Sequence, residues 1–374
     1  MSCKILVTGG AGFIGSHLVD ALIERGHRVR IFDNLDPQVH GKEQNIPDYL
    51  NKEAEFIKGD VRNRIELLNA IKGCEVIFHL ASVVGVGQSM YEIRRYMEAN
   101  TLGTAILWDI LANEKHSIKK IIIASSMSNY GEGEYKCVKC GDIYPELRKK
   151  EQLKRRRWEM QCPKCSKTLE AIPTKESKPL NPTSVYAISK KDQEELSLIL
   201  GLAYNIPTVA LRYFNVYGSR QALSNPYTGV AAIFSSRILN NQPPVIFEDG
   251  LQSRDFIHVS DIVAANILAM EKEEANYQVF NVGTGRRLTV LDMANILLKY
   301  LNKSDLRTEI VSKFREGDIR HCYADITKIK SLGFKPKVTF EKGVTYLTEW
   351  VKFQSALDIF DKAKDELYKK GLVK

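Results

Sequence analysis

Acidic residues are in short supply in this 374-residue chain: 45 Asp and Glu face 54 Lys and Arg, for a formal net charge of +9. A basic balance points towards nucleic acid only if the excess is spread over a surface, so its location decides its meaning. Residues 132–178 hold 13 Lys and Arg against 8 Asp and Glu, which is +5 of the +9. Outside that segment the chain is nearly balanced, and a nucleic-acid partner is disfavoured. No apolar run reaches membrane-spanning length, so no membrane partner is expected. No internal repeat or low-complexity linker interrupts the chain. The first strand begins almost at the N-terminus and leaves no room for a signal peptide, so a soluble, cytoplasmic protein is expected. Of seven cysteines, Cys3, Cys74 and Cys322 are scattered singly and read as small buried hydrophobes or reduced thiols.

What is present begins at Lys4. Ile5, Leu6 and Val7 form a short apolar run, as a strand buried on both faces does. Thr8 to Gly15 then supplies Gly9, Gly10, Gly12 and Gly15 where a backbone must turn sharply and approach a ligand. A helical pattern follows in Phe13, Ile14, Leu18, Val19 and Leu22. Strand, turn and helix start in that order suit a pyrophosphate. Asp33 closes the unit after a second strand-like run, Arg28–Phe32. A carboxylate there accepts from a ribose 2′-OH and repels a 2′-phosphate, so NAD is expected in preference to NADP.

Strands alternate with helices along the rest of the first half. Residues 34–54 read as a loop with a short helix, Glu55–Lys58 as a third strand ending in Gly59-Asp60-Val61, and Glu75–Leu80 as a fourth. His79 at that strand's end reads as a satisfied histidine more readily than as a catalyst. A long helix over 93–113 carries Asn100, Gly103 and Thr104, and Lys120–Ala124 delivers Ser125 and Ser126. After residue 178 come a helix over 182–204, a strand over 207–213, and then helices and short strands that include Val245–Phe247 and Gln278–Val282. The expected fold is α/β: a Rossmann-like doubly wound parallel sheet with a smaller C-terminal substrate lobe and an inserted zinc-ribbon-like module. In residues, the NAD-binding domain is 1–131 with 179–218, the insert is 132–178, and 219–374 is mainly the substrate lobe. Residues 352–374 read as a charged amphipathic tail helix.

The insert holds Cys137-Val138-Lys139-Cys140-Gly141 and Cys162-Pro163-Lys164-Cys165. Two C-x2-C knuckles can close a tetrahedral four-thiolate site, so Cys137, Cys140, Cys162 and Cys165 are candidate ligands of one structural zinc. Between them, 145–160 reads as a short basic helix, with Lys154-Arg155-Arg156-Arg157 as its solvated face.

Tyr186 and Lys190 are i and i+4, on one helical face beside a dinucleotide site. An ammonium there can stabilise a phenolate, making Tyr186 a base near neutral pH, with Ser126 steadying the same substrate hydroxyl. At these residues the sequence resembles the extended short-chain dehydrogenase/reductases, and within them the NAD-dependent nucleotide-sugar epimerase/dehydratase group. Matching stretches include Thr8–His17, Ser125–Gly131, Tyr186–Lys190, Arg212–Gly218, Arg254–Asp261 and Arg315–Asp318. The resemblance implies Tyr186, Lys190 and Ser126 as the catalytic group. It implies a cofactor site of Gly9, Gly12, Phe13, Ile14, Gly15, Asp33, Asn34, Asp60, Val61, Leu80, Ala81, Ser82, Asn100, Tyr186 and Lys190. It also implies Asn215, Arg254 and Arg315 at a substrate diphosphate, with Val86, Ser126, Val230, Asp318 and Cys322 elsewhere at the substrate, and a homodimer.

The departures narrow the activity. Where the family's 4,6-dehydratases carry an acidic pair, this chain has Met127 and Ser128, and Asp33 argues against the NADPH of the group's reductases. What remains is 4-epimerisation of a UDP- or dTDP-hexose through a 4-keto sugar. The alternatives are an NAD-dependent nucleotide-sugar dehydrogenase or reductase, or a partner- or nucleic-acid-binding protein using the basic insert. Glu248 replaces the glycine usual before Asp249-Gly250. The zinc knuckles are absent from typical members and resemble a subgroup similar to dTDP-L-rhamnose 4-epimerases. At Cys322 the family's bulky Tyr walls off the sugar's C2 substituent, so the smaller thiol implies room for a 2-acetamido sugar.

Overall fold

The computed structural model describes residues 2–315, 317–354 and 356–374. At its centre is a seven-stranded sheet in which every pairing is parallel. In chain order the strands are β1 (Lys4–Thr8), β2 (Arg28–Asp33), β3 (Glu55–Lys58), β4 (Val76–His79), β5 (Lys120–Ser126), β6 (Thr208–Tyr213) and β7 (Gln278–Val282). In space they run β3-β2-β1-β4-β5-β6-β7. Apolar runs form the central strands because both faces are covered. Ile5, Val7 and Ile122 enter one core, while Leu6, Ile121 and Ile123 enter the other. Strand order reverses between β1 and β4, and the carboxyl ends part there to leave a crevice.

The helix expected over 93–113 is present but has a π-helical turn at Met97–Leu102, between α-helical Ile93–Tyr96 and Gly103–Asn113. Asn100 sits in that turn. The boundary at 218/219 is cleaner in sequence than in space. Helix Val259–Glu271 packs on helix Phe13–Glu24, and β7 returns to pair with β6, so this stretch belongs to the sheet domain. The smaller lobe has its own core, in which Phe234, Met293, Leu297 and Leu347 meet from helices Val230–Leu239, Val290–Tyr300 and Phe340–Val351. In the tail, the helix covers Phe360–Lys369, and the backbones of Lys374 and Phe314 exchange two 3.0 Å hydrogen bonds. Glu316, within the expected Arg315–Asp318 stretch, and Ser355, within the expected tail helix, lie outside the described residues.

The insert is a three-stranded antiparallel sheet in the order Gly141–Ile143, Glu134–Cys137, Glu170–Ile172, over a small core of Tyr135, Ile143, Met160 and Leu169. The basic helix expected over 145–160 shrinks to Lys150–Lys154. Arg156 adopts φ +56°, which stops the helix. The chain then folds back, so Gln152 donates to the Arg157 and Glu159 carbonyls, both at 2.8 Å. Lys154 to Arg157 are exposed, as a solvated face should be.

Candidate active site

A cavity of about 590 Å³ runs from the glycine turn, past the carboxyl ends of the strands, to the smaller lobe. Its cofactor end is shaped by backbone approach. Gly9 has φ +71°, and a Cβ there would lie 2.8 Å from the Ala81 nitrogen. A Cβ on Gly15 would overlap the Gly9 carbonyl. Gly9 therefore lets the turn lie against the backbone after β4, and Gly15 lets the helix start against the turn. Asp33 ends β2 with one carboxylate oxygen accepting from the Ala11 N–H at 3.0 Å and the other from the Leu35 N–H at 2.9 Å. Burial pushes its carboxyl above the usual range, and those two N–H groups work against the shift. The carboxylate ties the turn to the loop after β2 and still presents itself to the cavity.

Gly9, Gly12, Phe13, Ile14, Gly15, Asn34, Asp60, Val61, Leu80, Ala81 and Ser82 also line this end. Asn100 stands behind the wall. Its amide oxygen accepts from the Val83 N–H at 2.8 Å, its nitrogen donates to the Val83 carbonyl at 3.0 Å, and it so fixes the loop after β4. His79 bonds Thr8 at 2.9 Å and Thr104 at 3.1 Å, and burial drops its pKa to about 3. It is a satisfied, neutral histidine.

Tyr186 and Lys190 reach the same cavity from helix Val185–Ala203, whose N-cap Ser184 accepts from the Ala187 N–H. Ser126 arrives at the end of β5. Burial raises the Tyr186 phenol, and a hydrogen bond with Ser126 opposes the rise. The Lys190 ammonium donates to the Ala124 carbonyl at 2.6 Å and the Gln193 amide oxygen at 2.8 Å, and burial lowers its pKa to about 7. Met127 and Ser128 also face the cavity, so no acidic side chain occupies those positions.

Asn215, Val230, Arg254, Arg315, Asp318 and Val86 also line the cavity. Arg254 donates to the carbonyls of Ser253 at 2.8 Å, Arg320 at 3.0 Å and Ile319 at 2.7 Å. Arg315 stacks its guanidinium 4.2 Å from the Phe247 ring centroid. The buried Asn215 Oδ1 has no hydrogen-bond partner among the described residues and could accept from a ligand hydroxyl, while Arg315 Nε makes no hydrogen bond but lies 3.6 Å from the Asp318 carboxylate. Cys322 is not brought to this wall. It is 1% exposed, with its thiol 3.7 Å from the Thr174 hydroxyl, because the base of the insert packs over it.

The four insert thiols come together, with all four sulfur atoms within 4.8 Å of one another. A thiolate tetrahedron about 2.3 Å from a zinc ion has edges of about 3.8 Å, so the cluster fits one ion. The Lys139 N–H pulls the Cys137 thiol down to about 6, while the hydrogen bond to Cys165 and burial push Cys140 up to about 12.

Sequence reasoning missed one part of the wall and one residue packed behind it. Tyr96 packs edge-on to Tyr186, ring centroids 6.4 Å apart, and donates to the Val84 carbonyl at 2.9 Å. Phe360, Ala363, Lys364 and Leu367 also line the cavity, one face of the tail helix. Their i, i+3, i+4, i+7 spacing was readable, but what the face covers was not.

A doubly wound sheet with this glycine turn, this acid and this Tyr/Lys pair defines a dinucleotide-dependent enzyme of the short-chain dehydrogenase/reductase kind. Comparison with known proteins makes the assignment narrower. Residues 5–148 and 163–283 match the NAD dependent epimerase/dehydratase family, and the chain belongs to it. It is 34% identical over 352 residues, 93% of this chain and 94% of the relative, to a dTDP-L-rhamnose 4-epimerase of Burkholderia thailandensis. A solved UDP-N-acetylglucosamine 4-epimerase of Methanobrevibacter ruminantium, in complex with UDP-N-acetylmuramic acid, superposes with a TM-score of 0.76 at 34% identity, covering 95% of this chain and 99% of that one. A Thermus thermophilus UDP-glucose 4-epimerase solved with NAD gives 0.73 at 26% identity over 94% and 100%. No helix of the described residues is long and apolar enough to cross a membrane.

Proposed function

We propose that this enzyme is a nucleotide-sugar 4-epimerase acting on a UDP- or dTDP-hexose through a transient 4-keto sugar. The observation that carries the reading is the joining, in one cavity, of a glycine-turn cofactor end, the Tyr186/Ser126/Lys190 group, and two guanidiniums with an amide at the far end. Bound NAD supplies a cationic ring that accepts the C4 hydride and gives it back. Tyr186 takes the C4 hydroxyl proton as the hydride leaves, so C4 becomes a ketone. Ser126 holds the same oxygen. Arg254, Arg315 and Asn215 grip the diphosphate, which leaves the sugar free to turn about that anchor and offer C4's other face. Tyr186 then returns its proton. Burial alone keeps the phenol protonated, so its work as a base rests on cationic charge at the cofactor end together with Lys190.

Met127 and Ser128 support epimerisation over dehydration, because neither can shuttle the C5 and C6 protons of an elimination. The insert serves as a structural module whose Cys137, Cys140, Cys162 and Cys165 hold one zinc. The test is to incubate the purified enzyme with a panel of UDP-, dTDP- and GDP-sugars and resolve the products. Epimer pairs with no accumulating NADH are expected; steady NADH formation would make it a dehydrogenase instead.

A further inference from the structure

The insert reaches the substrate end of the cavity through Arg148, Glu132 and Glu159. Arg148 lies in the irregular run before helix Lys150–Lys154 and is anchored to its own module by donating to the Trp158 carbonyl at 2.9 Å. Its two terminal nitrogens fork onto the two oxygens of Glu248, both at 2.8 Å. One of them also donates to the Asp318 carbonyl at 3.2 Å. Arg148 and Glu248 side chains are only 1% and 5% exposed, so this is a buried, bidentate pair.

Glu248 is itself unusual. Its φ is +57°, a left-handed conformation that favours glycine and costs a side chain about 1–2 kcal/mol. What offsets the cost is the company of two guanidiniums, since Arg320 also donates to Glu248 at 3.0 Å. Arg320 in turn is held by Asp249 at 2.7 Å and by Glu159 of the insert at 3.1 Å, and its backbone N–H by Glu132 of the insert at 2.6 Å. The insert thus grips residues 318–320 from behind. On the cavity side of the same residues, the Ile319 and Arg320 carbonyls carry Arg254.

We propose that Arg148 is a positioning residue for the diphosphate end, setting through Glu248 and the Asp318 carbonyl the segment that presents Arg254 and Arg315, so that the insert controls nucleotide-sugar affinity. The inference rests on the reading of Arg254 and Arg315 as diphosphate ligands. Arg148 touches no reacting atom, so its loss bears on KM and leaves proton transfer by Tyr186 in place.

The test titrates UDP and dTDP into NAD-loaded wild type, Arg148→Met and the double variant Arg148→Met/Glu248→Gly, with metal content and thermal stability measured alongside. Arg148→Met leaves a buried carboxylate partly unpaired and loses stability; the double variant removes that charge and recovers it. Nucleotide affinity is expected to fall about tenfold in both variants. KM rises in parallel while kcat stays within about twofold and zinc stays at one equivalent. Affinity that returns with stability in the double variant, or never falls, overturns the proposal. If the single variant does not fold, the double variant alone decides. Failure of wild type to bind either nucleotide would overturn the nucleotide-sugar reading as well, whereas binding that is unaffected by the variants overturns this inference alone.

Discussion

The glycine turn and the four-cysteine insert are both short segments organised by sharp bends, but they are held in place over very different distances along the chain. In the turn, Asp33 meets Ala11 across 22 residues, and every constraint falls between Lys4 and Ala81. In the insert, Arg148 meets Glu248 across 100 residues and Glu132 meets Arg320 across 188. The turn owes its shape to missing side chains, which let backbone lie against backbone. The insert has a core of few residues and relies on thiols drawn together and on the buried Arg148–Glu248 pair, which reaches outside the insert. Chemistry concentrated at a sheet edge can therefore be written locally, while the fine placement of the substrate is delegated to contacts that only the folded chain brings about.

The comparison can be strained from either side. The largest effect belongs to the sheet edge: Tyr186→Phe should cut turnover by about 10²–10⁴-fold while leaving NAD bound, because only the proton-transfer group is lost. Steady-state rates together with cofactor content check both halves, and near wild-type activity would remove Tyr186 from its role. Next is the insert's own integrity. Cys162→Ser should take metal analysis from one zinc per chain towards none and abolish hydrogen-exchange protection across residues 134–172, with β1 to β7 still protected. Zinc retained at full stoichiometry would count against these four ligands.

A smaller effect is expected where the two regions touch. Cys322 sits under the base of the insert, so Cys322→Tyr should overpack that contact, costing about 1–3 kcal/mol in denaturant unfolding. The loss of kcat/KM should be equal for a hexose substrate and its 2-acetamido analogue. Selective loss on the acetamido sugar would put residue 322 beside C2, as its sequence position implied. Smallest is Asp33→Ala, which should narrow the NAD-over-NADP preference by about tenfold, measured as the ratio of dissociation constants. An unchanged ratio would assign the choice to another side chain.

Much of the site was readable because its signals are local. The glycine spacing, the acid at the end of β2, the Tyr and Lys one helical turn apart, and the paired knuckles each need only a few neighbouring residues to be recognised. Gln278–Val282 was recognisable as a strand but not as the sheet's seventh, since parallel pairing with β6 joins segments with part of the smaller lobe between them. The same limit hid the tail helix face, whose spacing is plain but whose target, beside Phe247 and Arg315, is set by tertiary packing. Glu248 stood out as a departure from the expected glycine; its partner Arg148 lay in the 145–160 run expected to form a short basic helix. Lys190 lines the cavity with Tyr186, and its ammonium turns to the Ala124 carbonyl, a partner on β5 that helical spacing does not reveal.

The central claim is that hydride leaves and returns to one carbon of a nucleotide sugar without net redox change. The direct test supplies a UDP- or dTDP-hexose deuterated at C4 and tracks the label by NMR while monitoring reduced cofactor. The account predicts a 4-epimer that keeps deuterium at C4, with no NADH released into solution. Loss of the label to solvent, or one equivalent of NADH per sugar consumed, would contradict it.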